Sequence, residues 1–84
     1  MKVNVTTLEG KRVNTIEYQE TREQTNGQIF QYEIMNVFSY KISQEKSEYL
    51  HIIEHGEYNE SGSWVGMFMN YTTHKAERFY FSIA

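Results

Sequence analysis

The segment at residues 64–71, WVGMFMNY, constrains the fold of this chain more than any other. It has the composition of a β-strand, but apolar side chains occupy both sets of alternating positions: Trp64 and Phe68 on one, Met67 and Met69 on the other. A strand with one face in water alternates apolar and polar residues instead. We therefore expect both faces to be covered, by a helix, by the sheet curling over itself, or by another copy of the chain.

The short length of the chain also favours packing against another copy. With 84 residues it is expected to form one domain, spanning 1–84. Domains this small bury only about 60% of the surface of their unfolded chain, so disulfides, metals or self-association commonly support them. The sequence has no cysteine, which excludes disulfides and thiolate zinc sites. Metal binding by histidines or carboxylates and self-association remain, and of these we expect a homo-oligomer.

Aromatic residues make up 15% of the sequence, and aromatic residues favour strands. Alternating or β-like patterns predict strands over 2–7, 13–18 and 78–84, and the composition of 64–71 predicts a fourth. A slip in the apolar phase predicts a bulge between Val13 and Ile16. The predicted fold is therefore mainly β, an antiparallel meander of about five to seven strands, strongly bent or barrel-like.

The middle of the chain is harder to assign. Most apolar residues of 29–42 share one parity, which indicates one long, bent strand or two strands. Asn26-Gly27 is the strongest hairpin turn signal, and the polar residues 19–28 are its expected exposed arm or a loop. Residues 48–57 are interpreted as a strand. The alternative is a single helix over 44–55, which would make the fold α+β.

Residues 51–55, HIIEH, have the letter pattern of one group of zinc proteases. On a strand, His51 and His55 share a face with Cα atoms roughly 13 Å apart, too far to bind one ion. On a helix the spacing permits zinc, but a third ligand and a substrate cleft are still needed. The similarity covers five residues of a chain far smaller than those proteases. We expect ordinary surface or interface histidines, with no metal site, no cofactor and no catalytic residues.

The charge of the chain limits its partners. The net charge is −3 and the eight lysines and arginines are scattered, so a nucleic-acid-binding role is not expected. No apolar run approaches the about 20 residues of a membrane helix, and the first residues lack the apolar core of a signal peptide. We therefore expect a cytoplasmic protein without membrane contact.

The candidate binding residues lie in the second half of the chain. Trp64 follows a glycine-containing loop, where a tryptophan can anchor a partner, although a core position is the favoured interpretation. Methionines suit either a core or an adaptable interface. The region 45–60 is acidic. The predicted set for a partner or ligand is Glu54, Glu57, Tyr58, Glu60, Trp64, Met67, Met69 and Arg78.

These observations favour a non-catalytic, protein-binding module that acts as a homo-oligomer. One form is a small acidic inhibitor of a nucleic-acid-handling or defence enzyme, of the kind phages encode, whose glutamates imitate phosphates. The alternative is a β-protein that binds or sequesters a small ligand, such as a nucleotide or an apolar molecule. An enzyme is the least favoured class.

Overall fold

A computed structural model describes residues 1–19 and 27–84. In this part of the chain, five antiparallel strands form one sheet in the order β2-β1-β5-β4-β3, together with one helix. The elements are β1 (Lys2–Thr6), β2 (Arg12–Glu17), α1 (Gly27–Lys46), β3 (Leu50–His55), β4 (Ser63–Asn70) and β5 (Lys75–Ile83). The mainly β, antiparallel fold is confirmed, and the sheet does not close into a barrel.

The order of the strands follows from the position of the helix in the sequence. β1 and β2 form a hairpin, and the chain then passes through α1 to the opposite edge of the sheet, where β3 begins. β4 and β5 return towards the middle, so that β5 pairs with both β4 and β1. Phe81 is thereby opposite Trp64 on one side and Val5 on the other, at the centre of the sheet.

The prediction of strands over 29–42 is wrong, because this segment belongs to α1. The buried apolar residues recur every four positions, and a spacing of four satisfies both a strand period of two and a helical period of 3.6. A strand would also have buried Tyr32 and Tyr40, which share the same parity, but both are exposed. The stripe on the helix that faces the sheet consists of Phe30, Ile34, Met35, Phe38 and Ile42.

The boundaries of α1 correct two further predictions. The helix ends at Lys46, and Ser47 adopts a positive φ of 56°, so residues 44–55 are not one helix and the favoured strand is confirmed at β3. Gly27 begins the helix instead of closing a hairpin turn. The rest of the predicted hairpin, including Asn26, lies within residues 20–26, outside the described residues.

One hydrophobic cluster fills the space between α1 and the sheet. Phe38 packs at its centre, with its ring centroid 5.0–5.6 Å from those of Phe68, Phe79 and Phe81. All three partners project from the same side of β4 and β5. The helix therefore covers one side of the sheet. In the described part of the chain, no helix is long and apolar enough to cross a membrane.

A bulge is present in β2, but it lies at Val13, at the edge of the predicted interval from Val13 to Ile16. Val5 pairs with Asn14 and Thr6 pairs with Arg12, which leaves Val13 as the extra residue. Val13 packs partly against the core.

Candidate functional site: the open face of the sheet

The side of the sheet away from α1 is not covered by any described residue at β4. Alternate residues of β4, including Trp64 and Phe68, are buried under the helix. The residues between them, Val65, Met67 and Met69, are only half-buried. We call this side the open face. The part of this face formed by β4 and its two neighbours is centred on apolar side chains, and we call it the apolar half. It carries Val65, Met67 and Met69 on β4, Ala76, Arg78 and Tyr80 on β5, and His51 and Glu54 on β3.

Strand pairing arranges these side chains in rows across the sheet. Met67 lies between Arg78 of β5 and Glu54 of β3, so one cation and one anion flank an apolar residue. Both charged side chains are exposed. The row therefore presents positive, apolar and negative groups in that order.

The next row is centred on Met69, which lies between Ala76 and His51. Beyond it, the rings of Tyr49 and Tyr71 stack with centroids 5.6 Å apart, and the His51 ring is 6.0 Å from that of Tyr71. These aromatic groups form one end of the apolar half.

Tyr80 forms the other end of the apolar half. It pairs with Val65, and its hydroxyl donates a hydrogen bond to Ser63 Oγ at 2.7 Å. Ser63 is fixed in turn by Asn59, whose Oδ1 accepts hydrogen bonds from both the backbone nitrogen and the hydroxyl of Ser63 at 3.0 Å. The loop before β4 therefore holds the Tyr80 ring in position over the sheet.

The other half of the open face is polar. Asn4 of β1 accepts a hydrogen bond from the Thr15 hydroxyl at 3.1 Å, and Ser82 of β5 pairs with Asn4. Such a surface is typical of a strand face in water. The apolar character is therefore confined to β3, β4 and the first part of β5.

A bulge in β3 separates the two histidines. His51 pairs with Met69 on the open face, whereas His55 pairs with Gly66 on the side of the helix. The prediction that both histidines share a face is wrong, because the extra residue, Ile53, changes the parity of the strand. The same shift places Ile53 and Glu54 together opposite Met67.

His55 is engaged within the fold. Its Nδ1 lies 3.1 Å from the carbonyl oxygen of Gly56, and its ring meets the Tyr32 ring edge-on at 4.8 Å. Two histidines on opposite sides of a sheet cannot bind one ion. Among the residues that the structure describes, no three histidine or carboxylate side chains are grouped so as to hold a metal.

Four of the predicted binding residues meet on the open face: Met67, Met69, Arg78 and Glu54. Trp64 does not, because its indole is only 2% exposed and stacks on Phe81 at 5.1 Å in the core. The favoured interpretation of Trp64 as a core residue is therefore confirmed.

Tyr58, Glu57 and Glu60 lie in the loop between β3 and β4 and are exposed. The Tyr58 ring contacts those of Phe30 and Trp64, so part of it closes the end of the core. The charges of Glu57 and Glu60 remain available to a partner. A role for them in imitating phosphates stays a prediction.

Four residues of the open face and its ends were not predicted from the sequence: Tyr80, Val65, Tyr49 and Tyr71. Val65 could have been predicted, since it lies on the same side of the strand as Met67 and Met69. Tyr49, just before β3, and Tyr71, just after β4, could not be predicted in this way, because the stacking of their rings depends on the register of the two strands. Comparison with known protein families, curated proteins and solved structures finds no match.

Proposed function

We propose that this protein is a non-catalytic binding module that acts as a homodimer, with the open face of one copy packed against the open face of the other. The observation that carries the proposal is the row Arg78–Met67–Glu54. A surface that binds a copy of itself through a two-fold axis must be complementary to itself. This row meets that condition.

The required axis lies between the two sheets and runs along β4. A rotation of 180° about it places Met67 against Met67 of the second copy, because β4 lies directly below the axis and Met67 points towards it. It also carries the β5 side of one copy over the β3 side of the other. Arg78 then faces Glu54 of the second copy, and Glu54 faces its Arg78, so the two charge pairs form together.

The apolar part of the face supplies the energy of association. Complete burial of a fully exposed methionine or valine side chain contributes roughly 1.5–3 kcal/mol. The half-buried Val65, Met67 and Met69 of each copy would each gain part of this at the interface. Methionine side chains adapt to irregular surfaces, which favours packing between sheets. Two stacked sheets with nearly aligned strands are a common arrangement, and the second sheet would cover the face that the chain itself leaves open.

The solution mass of the protein, measured by light scattering after gel filtration, tests this proposal. We expect the mass of a dimer for the natural sequence. Met67→Glu should give a monomer, because it places two carboxylates against each other at the axis. Tyr40→Glu is the matched control, since Tyr40 is exposed on the outer side of α1, and it should remain dimeric. A monomeric natural protein would contradict the proposal.

We further propose that this binding module is a small acidic inhibitor of a nucleic-acid-handling or defence enzyme. The support for this proposal is the exposure of Glu57 and Glu60 beside the exposed Glu54, on one continuous segment. This proposal predicts that changing these three glutamates to lysine abolishes binding of the protein to a nucleic-acid-handling enzyme. In the proposed dimer Glu54 is an interface residue, so Glu57 and Glu60 are the two to reverse first.

A further inference from the structure

A groove of about 350 Å³ opens on the helix side of the sheet, at the end opposite Trp64. It lies between the last turns of α1 and the ends of β1, β2, β3 and β5. Four apolar side chains line it: Val13, Ile42, Leu50 and Phe79. Three of these are core residues, so the groove exposes the edge of the hydrophobic cluster. Its volume is at the lower end of the range for small-molecule sites.

Charges of both signs line the same groove. Lys11 comes from the β1–β2 connection, Arg12 from the start of β2 and Lys46 from the end of α1, whereas Glu48 precedes β3 and Glu77 lies on β5. Within the described residues, no ion pair joins these cations to these carboxylates. The groove therefore has uncompensated charges of both signs around an apolar floor.

Asn70 holds the two carboxylates in place. It is fully buried, and its Nδ2 donates to Glu77 at 2.8 Å and to Glu48 at 3.4 Å. Its Oδ1 accepts hydrogen bonds from the backbone nitrogens of Thr72 and Thr73 at 2.9 and 3.1 Å, so the amide cannot rotate freely. Glu48 and Glu77 are both half-buried. Two carboxylates that converge on one amide are positioned to bind a cationic group together.

We propose that this groove binds a small zwitterion whose ammonium and carboxylate groups are joined by an apolar chain. The ammonium would be held by Glu48 and Glu77, the carboxylate by the lysines and Arg12, and the chain would lie over Leu50 and Phe79. A simple anion would be repelled by the fixed carboxylates. A simple cation would leave the three basic side chains without a partner.

This site is separate from the open face. Glu77 pairs with Phe68, so its side chain is on the side of the sheet that faces α1, whereas the proposed dimer uses the other side. The groove can therefore bind its ligand whether the protein is a monomer or a dimer.

An NMR titration of the backbone amides with ε-aminocaproate tests the proposal. Caproate and hexylamine are matched probes, since each lacks one of the two charged groups. We expect shifts that centre on the groove, from Lys11 to Val13 and from Glu48 to Leu50. We also expect binding at least about tenfold tighter than for either matched probe, because a hydrogen bond to a charged group contributes roughly 1.5–3 kcal/mol.

Two conservative variants complete the experiment. Glu77→Gln keeps an oxygen for the Asn70 amide but removes the charge, and Arg12→Gln removes one cation from an exposed position. Each should weaken binding of ε-aminocaproate by about tenfold. Glu33→Gln and Lys2→Gln, which change exposed residues outside the groove, should bind as the natural protein does. Equal affinities for the three probes, or no shifts at the groove, would overturn the proposal.

Discussion

Gly66 of β4 lies directly beneath Met35 of α1. A Cβ atom built on Gly66 would be 2.6 Å from Met35 Cε and 2.9 Å from Phe81 Cε1, both closer than such atoms approach in proteins. The helix therefore contacts the sheet where β4 has no side chain. This close approach lets Phe38, a neighbour of Met35 on the helix, reach the three phenylalanines of the sheet.

Gly66→Ala should lower the free energy of unfolding by about 1–3 kcal/mol, because the added methyl group overfills this contact. Denaturant unfolding measures the change. Shortening the facing side chain with Met35→Val should recover part of the loss, so that the double variant is more stable than the sum of the single changes predicts. Strictly additive effects would show that the two residues do not compete for the same space.

The region 29–42 illustrates what the sequence could and could not predict. Strands β1 and β5 are recognisable because apolar and polar residues alternate in them, and β4 is recognisable from its composition. The bulge in β2 shows as a slip in the apolar phase that begins at Val13. The helix is not recognisable in the same way, because Phe30, Ile34, Phe38 and Ile42 are spaced by four and fit either structure. Exposed aromatic residues such as Tyr32 and Tyr40 completed the apparent strand pattern.

Asn36 provides a direct test of the helix, because it is exposed in the middle of α1. In a helix, Asn36→Ala should be more stable than Asn36→Val by about 0.5 kcal/mol, since alanine has the higher helix propensity. In a strand the order reverses, because β-branched residues are favoured there. Thermal unfolding of the two variants measures the order. A more stable valine variant would contradict the helix.

Asn70→Asp should make the stability of the protein depend on pH. The change keeps the acceptor for Thr72 and Thr73 but removes the donor and adds a third carboxylate beside Glu48 and Glu77. Burial and these two charges raise the pKa of the introduced aspartate in the folded state above its unfolded value. Its protonated form therefore stabilises the fold at low pH, and this contribution is lost as pH rises through the raised pKa.

Urea unfolding across a range of pH measures this effect. We expect the deficit of Asn70→Asp relative to the natural protein to grow from acidic to neutral pH. Asn70→Ala is the control, with a loss of about 1–3 kcal/mol from the unpaired backbone amides and no comparable dependence on pH. A deficit of Asn70→Asp that is constant with pH would contradict the proximity of the three groups.

The open face was predictable only in part. Met67 and Met69 were identified because they occupy the apolar positions that alternate with Trp64 and Phe68. Arg78 and Glu54 were also among the predicted binding residues. That Arg78 and Glu54 flank the same methionine depends on the register of three strands, including the bulge at Ile53. No local pattern marks that bulge, because His51, Ile52 and Ile53 suit any strand. Trp64 was ambiguous because a tryptophan beside a loop suits both a core and an interface.

Charge reversal at Arg78 and Glu54 tests the self-complementary face most directly. The measurement is the dissociation constant of the dimer for Arg78→Glu, for Glu54→Arg and for the double variant, with monomer unfolding as a check of the fold. We expect each single change to weaken the dimer, since it creates two like-charge contacts, and the double variant to restore it. Single variants that dimerise like the natural protein, or a double variant no better than either, would contradict the proposed pairing.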